Sequence, residues 1–173
     1  MFELNNEYLS IKINAFGAEL QSIFNHKNNI EYLWQGDANF WSKRAPILFP
    51  IVGQLINNQY THKNKVYNLP RHGFAREKQF ECIKQENELI IFQLESNDET
   101  LLVYPFKFQL QISYQLKNNH LSVAYEVKNL DADVLYFSIG AHPAFNVPLL
   151  PNEQFEDYFL QFNEKETASR WTN

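Results

Sequence analysis

Phe106-Lys-Phe-Gln-Leu-Gln-Ile-Ser-Tyr-Gln-Leu116, then Lys117-Asn-Asn-His120, then Leu121-Ser-Val-Ala-Tyr-Glu-Val127, is the stretch that decides the fold class. Every second residue of the first run is apolar, so Phe106, Phe108, Leu110, Ile112, Tyr114 and Leu116 share one face of a strand. The third run alternates in the same way. Asn tolerates positive φ, so the polar stretch between the runs reads as a tight turn and the whole as one long antiparallel hairpin.

The same period recurs outward from this hairpin. Leu9, Ile11 and Ile13 oppose Ser10, Lys12 and Asn14, which makes residues 8–14 a half-buried strand. A second hairpin is expected from residues 80–84 and 88–94, turning through Gln85-Glu-Asn87. A third joins residues 59–62 to 66–69 through Lys63-Asn-Lys65. Residues 134–139 and 158–162 read as further apolar strands. Helical signal is confined to residues 37–41 and 98–103, with Asp37 or Asp98 as N-cap. No strand–helix–strand repeat exists, so a parallel α/β sheet is not expected. Without a linker or low-complexity segment, residues 1–173 read as a single all-β domain of long antiparallel strands packed as a sandwich.

Composition narrows the function classes. The chain has 173 residues, a net charge of −5, 16% aromatic and 20% charged residues, which is too rich in core-forming side chains for disorder. No Lys/Arg cluster supplies the concentrated positive charge of a nucleic-acid groove or an anionic-membrane patch. The N-terminus lacks a basic region followed by an apolar run, and no stretch approaches about 20 apolar residues, so a cytoplasmic protein is expected. Cys82 stands alone, and no two histidines have metal-ligand spacing on a shared helix, so neither a metal nor another cofactor is expected. His26, His62 and His120 lie in polar, turn-like contexts and read as solvated.

Three segments break the alternation. Lys43-Arg-Ala-Pro-Ile-Leu-Phe-Pro-Ile-Val-Gly53 carries two prolines in an apolar run, which a central strand does not tolerate. It reads as an irregular buried stretch with Arg44 at its start, either a surface arginine or a ligand-binding one. Pro70-Arg-His-Gly-Phe-Ala-Arg76 groups Arg71, His72 and Arg76 in one loop, where they are either solvated or donors to hydroxyls and anions. Ser138-Ile-Gly-Ala-His-Pro-Ala-Phe-Asn146 presents His142 at a strand end, either bonded to backbone carbonyls or available for proton transfer near neutral pH. Trp34, Phe74 and Phe145 stand near these motifs, as core residues or as an apolar wall.

The order of these segments, together with Ala15-Phe-Gly-Ala-Glu-Leu-Gln21, Ile30-Glu-Tyr-Leu-Trp-Gln-Gly36 and Phe40-Trp-Ser-Lys-Arg-Ala-Pro46, resembles the aldose 1-epimerase (galactose mutarotase-like) superfamily, in its LacX-like branch. The resemblance implies a large antiparallel β-sandwich, the galactose mutarotase-like supersandwich, with a sugar cleft. It implies interconversion of the α and β anomers of an aldose. By the resemblance His142 is the general acid on the ring oxygen, and His72, Arg71, Arg44, Arg76 and Gln54 are substrate-binding. The ligand is a hexose, with a hexose phosphate also open. Gln54 stands where relatives often carry an Arg, which weakens the case for a phosphate, since a neutral amide lacks bidentate reach to an anion. The family's general-base Glu lies beyond residues 164–170. Glu153, Glu156, Glu164 and Glu166 are not in its motif, so no base is assigned. The chain thus reads as the N-terminal part of that sandwich, with impaired turnover. The alternative is a non-catalytic carbohydrate-binding or regulatory protein. Sheet edges and an apolar face left open by missing strands invite a homodimer.

Overall fold

A computed structural model describes residues 1–165 and Thr167. Strands β1 (Phe2–Asn5), β2 (Leu9–Asn14), β3 (Glu19–Asn25) and β4 (Ile30–Glu31) form an antiparallel sheet in chain order. The turn after β1 closes because the Asn6 side chain accepts from the backbone N–H of both Tyr8 and Leu9, each at 2.9 Å. Strand β5 (Ile47–Leu48) lies within the proline-bounded stretch, and β6 (Gln59–His62) pairs with β7 (Lys65–Asn68). A second antiparallel sheet follows from β8 (Glu81–Gln85), β9 (Leu89–Glu95), β10 (Phe108–Lys117) and β11 (His120–Asn129), again in chain order. Strand β12 (Gly140–Ala141) returns to pair with β5.

The two four-stranded sheets face each other. Leu4, Leu9, Ile11 and Ile13 from the first meet Ile90, Phe92, Leu94, Leu110, Ile112 and Tyr114 from the second in one buried cluster. Each such side chain contributes about 1.5–3 kcal/mol on burial. Phe2 of β1 meets Phe92 of β9 edge to face at 5.1 Å, and the buried Tyr114 hydroxyl donates to the Ala18 carbonyl at 2.7 Å. This is the expected all-β sandwich.

Its details correct several expectations. The turns of two hairpins are two residues long, Lys63–Asn64 and Asn118–Asn119, one or more residues tighter than the sequence reading. Positive φ at Lys63, Asn64 and Asn118 permits this. Helix α1 (Asp98–Val103) forms, but Asn97 is its N-cap in place of Asp98: the Asn97 side chain accepts from Thr100 N–H at 3.0 Å, and Thr100 Oγ1 accepts from Asn97 N–H at 2.9 Å. Residues 37–41 make only one turn, closed by Trp41 N–H donating to the Asp37 carbonyl at 2.8 Å.

Residues 134–139 and 158–162 are not strands. No neighbouring strand among the described residues runs beside them to supply a ladder; Ser138 N–H reaches the Pro50 carbonyl at 2.9 Å, and pairing as a strand is limited to β12. Phe159 and Leu160 accordingly stay more than 80% exposed. His62 is not solvated but packs against the Phe106 ring at 4.7 Å. Glu166 and the final stretch 168–173 lie outside the described residues. Among the described residues no helix is long and apolar enough to cross a membrane.

Candidate active site

The stretch 44–53 is the common neighbour of the two histidine motifs. On one side β12 runs antiparallel to it, with Ala141 opposite Ile47, His142 N–H donating to the Pro46 carbonyl at 3.1 Å, and Ala144 N–H donating to the Arg44 carbonyl at 2.9 Å. On the other side Phe49 bridges to Gly73, and the Phe49 carbonyl accepts from the N–H groups of Phe74 and Ala75. The two prolines suit this role: Pro46 and Pro50 serve the neighbours through their carbonyls and need no N–H of their own.

Two backbone features fix the imidazole of His72. Gly73 has φ +69°, and a Cβ there would collide with the Phe49 carbonyl, so only glycine permits this approach. His72 N–H donates to the Gly53 carbonyl at 2.8 Å, and Gly53 N–H donates back to His72 Nδ1 at 3.0 Å. A neutral imidazole whose Nδ1 accepts carries its hydrogen on Nε2. The 3.2 Å approach of Arg71 Nε to His72 Nε2 is then a contact of two N–H groups, not a second hydrogen bond. Burial chiefly, then the charges of Arg71, Arg76 and His142, lower the His72 pKa from its usual value. The ring is therefore neutral at pH 7 and offers Nε2–H as a donor.

The remaining predicted residues fall into two groups. Arg76 lies beside Arg71: its Nη2 donates to the Arg71 carbonyl at 2.9 Å, its Nε lies 3.6 Å from Glu77, and that Nε is buried without a hydrogen-bond partner. Gln54, next to Gly53, is exposed and donates to Asn58 at 3.0 Å. Arg71, His72, Arg76 and Gln54 thus gather around one loop, with His142 across the 44–53 stretch. The Arg44 guanidinium is bonded elsewhere, donating to the Gln21 side chain and to the Gln35 carbonyl, each at 2.6 Å.

Two residues escaped the sequence reading. Trp41 sets its ring 5.1 Å from that of His142; its only signal was membership of the Phe40–Pro46 motif. Glu19 accepts from the N–H groups of Arg44 and Ala45, both at 2.9 Å, and so anchors the start of the 44–53 stretch. Of the aromatic residues near the motifs, Phe74 is core and Phe145 is exposed. Among the described residues no carboxylate bonds to either histidine, and no cluster of three or more His, Cys, Asp or Glu is placed to hold a metal. A cleft of about 540 Å³ lies beside Tyr60, Tyr104 and Tyr136 and is lined by neither His72 nor His142.

The family model for aldose 1-epimerase matches residues 1–170. The chain belongs to the aldose 1-epimerase family. It is 38% identical over 173 residues to the chromosomal protein LacX of Lactococcus lactis subsp. lactis, covering 96% of this chain and 58% of that one. Its fold is similar to that of a galactose mutarotase related enzyme from Lactobacillus acidophilus, with TM-score 0.87 and 41% identity over 90% of this chain and 52% of that chain. A galactose mutarotase-like protein from Lactobacillus casei ATCC 334 aligns with TM-score 0.83 and 40% identity over 88% of this chain and 52% of that one. The chain therefore spans between half and three-fifths of the length of these relatives.

Proposed function

We propose that this chain carries the acid side of an aldose 1-epimerase site. The supporting observation is that His72 and His142, 70 positions apart, are both fastened by backbone hydrogen bonds to the 44–53 stretch. Mutarotation needs a proton delivered to the ring oxygen while another leaves the anomeric hydroxyl; the ring opens, C1 rotates, and the ring recloses with both protons returned. His142 delivers the first proton as general acid. Neutral His72 donates Nε2–H to a sugar oxygen beside it. Arg71, Arg76 and Gln54 donate to hydroxyls, with a hexose as the ligand. Arg44 holds β3 and the Gln35 segment against the site.

The opposite proton requires a carboxylate, and none of the described residues places one at the histidines. The chain alone is therefore expected to bind hexose but accelerate mutarotation weakly or not at all. Polarimetry with glucose and galactose tests this: any acceleration should disappear in His142→Ala, and acceleration that survives would falsify the acid assignment. A second reading is a carbohydrate-binding protein without turnover. Calorimetric titration showing hexose binding with no rate effect selects it.

A further inference from the structure

His72 and His142 are fixed by different means, and the difference points to a further positioning residue. A backbone N–H holds the His72 ring through Nδ1. A general acid is better held in another way, because a ring nitrogen engaged by the protein is not free to pass a proton to substrate.

The backbone of the His142 segment is clamped from both sides. On one side the Pro46 and Arg44 carbonyls accept from His142 and Ala144 N–H. On the other, Trp34 N–H donates to the Ala144 carbonyl at 2.9 Å and Asn146 N–H to the Tyr32 carbonyl at 2.8 Å. The Asn146 side chain adds bonds to the Glu31 and Leu33 carbonyls, each at 2.9 Å. These bonds place the His142 Cβ but leave χ1 and χ2 to be set by what the ring packs against. The ring packs against the Trp41 indole, 5.1 Å between centroids with the planes tilted by 54°. Aromatic rings attract at that separation. Such a contact orients the imidazole without a hydrogen bond to either nitrogen.

Trp41 is held in turn by a residue that also holds the His142 segment. The Trp34 indole N–H donates to the Trp41 carbonyl at 2.7 Å. Trp34 therefore bonds the His142 segment through its backbone and the Trp41 loop through its side chain. The base of that loop is closed as well. Arg44 donates to the Gln35 carbonyl, and Gly36, at φ +74°, passes so near Ser42 that a Cβ would lie 3.1 Å from the Ser42 carbonyl oxygen.

We propose that Trp41 is a positioning residue for His142: its indole, tied to the His142 segment through Trp34, holds the imidazole in the one rotamer from which the proton is delivered. The catalytic part of this rests on His142 as the general acid; the restraint on the ring does not.

NMR of the full chain provides the test. The wild type should show a nuclear Overhauser contact between the Trp41 and His142 rings and the side-chain couplings of a single His142 rotamer. Trp41→Leu should average those couplings while the His72 ring signals stay in place, and Trp41→Phe should restore the single rotamer. Trp34→Phe keeps a ring but removes the donor to the Trp41 carbonyl, so it should average the couplings in part, and it decides alone if Trp41→Leu does not fold. A Trp41 that merely filled space would lower stability in Trp41→Leu and leave His142 in one rotamer. Averaged couplings in the wild type, or a single rotamer persisting in Trp34→Phe and in any folded Trp41→Leu, overturns the proposal. Mutarotation surviving in His142→Ala would instead remove the acid assignment and leave the ring restraint standing, so the two failures are distinct.

Discussion

His72 shows how one side chain is tuned by its neighbours. Its Nδ1 is held by a backbone N–H, its Nε2 faces Arg71, and the positive charges of Arg71, Arg76 and His142 all disfavour a second proton. Its folded pKa is lowered, so between that value and the usual 6.5 or so the unfolded chain binds more proton than the folded one. The contribution to stability therefore rises with pH through this window and is lost as pH falls below it. An NMR titration of the His72 ring should give a midpoint below the usual histidine value. Arg71→Gln should move the midpoint upward but not fully, because burial is the larger cause. A midpoint unmoved by Arg71→Gln would show that the guanidinium does not act on the ring.

At the scale of elements, local chemistry decides where each one starts and stops, and tertiary neighbours decide whether it exists. Helix α1 is six residues long, too short to persist without its cap. Asn97→Ala removes the acceptor for Thr100 N–H and should cost about 1 kcal/mol, read as a lower denaturation midpoint at unchanged slope. Asp98→Ala should cost less, since Asp98 lies inside the helix and makes no capping bond. The hairpins were legible in the sequence because alternation and Asn-containing turns are local signals. Residues 134–139 make an apolar run of strand length and do not form a strand, because a strand also requires a neighbour, which the pattern of its own residues cannot reveal. The histidine motifs were legible as candidates for the same local reason. That His72 and His142 share one supporting stretch was not, since it depends on β5 pairing with β12 and Phe49 bridging to Gly73. Nor could the sequence show that Arg44 turns its guanidinium to Gln21 and Gln35.

Across the whole molecule, the first sheet is held to the second by a shared apolar layer and by very few polar links through it. Tyr114 is the clearest of these. Its ring is in the core, 6.4 Å from Phe92, and its hydroxyl donates to the carbonyl of Ala18, in the turn between β2 and β3. Burial drives its pKa well above the usual tyrosine range, so the hydroxyl keeps its proton to higher pH than an exposed tyrosine does. Tyr114→Phe keeps the packing and removes only the hydroxyl, which leaves the fully buried Ala18 carbonyl without that donor. The expected loss is about 1–3 kcal/mol, the cost of an unmade hydrogen bond in a dry interior. Chemical denaturation should show it as a lower midpoint with the slope unchanged, because the surface exposed on unfolding is the same. Ser113→Ala, one residue away on the opposite face of β10, should change the midpoint far less, since that side chain makes no cross-sheet bond. Equal losses in the two variants would mean that the Tyr114 hydroxyl contributes nothing specific to joining the layers, leaving apolar contact alone to hold them together.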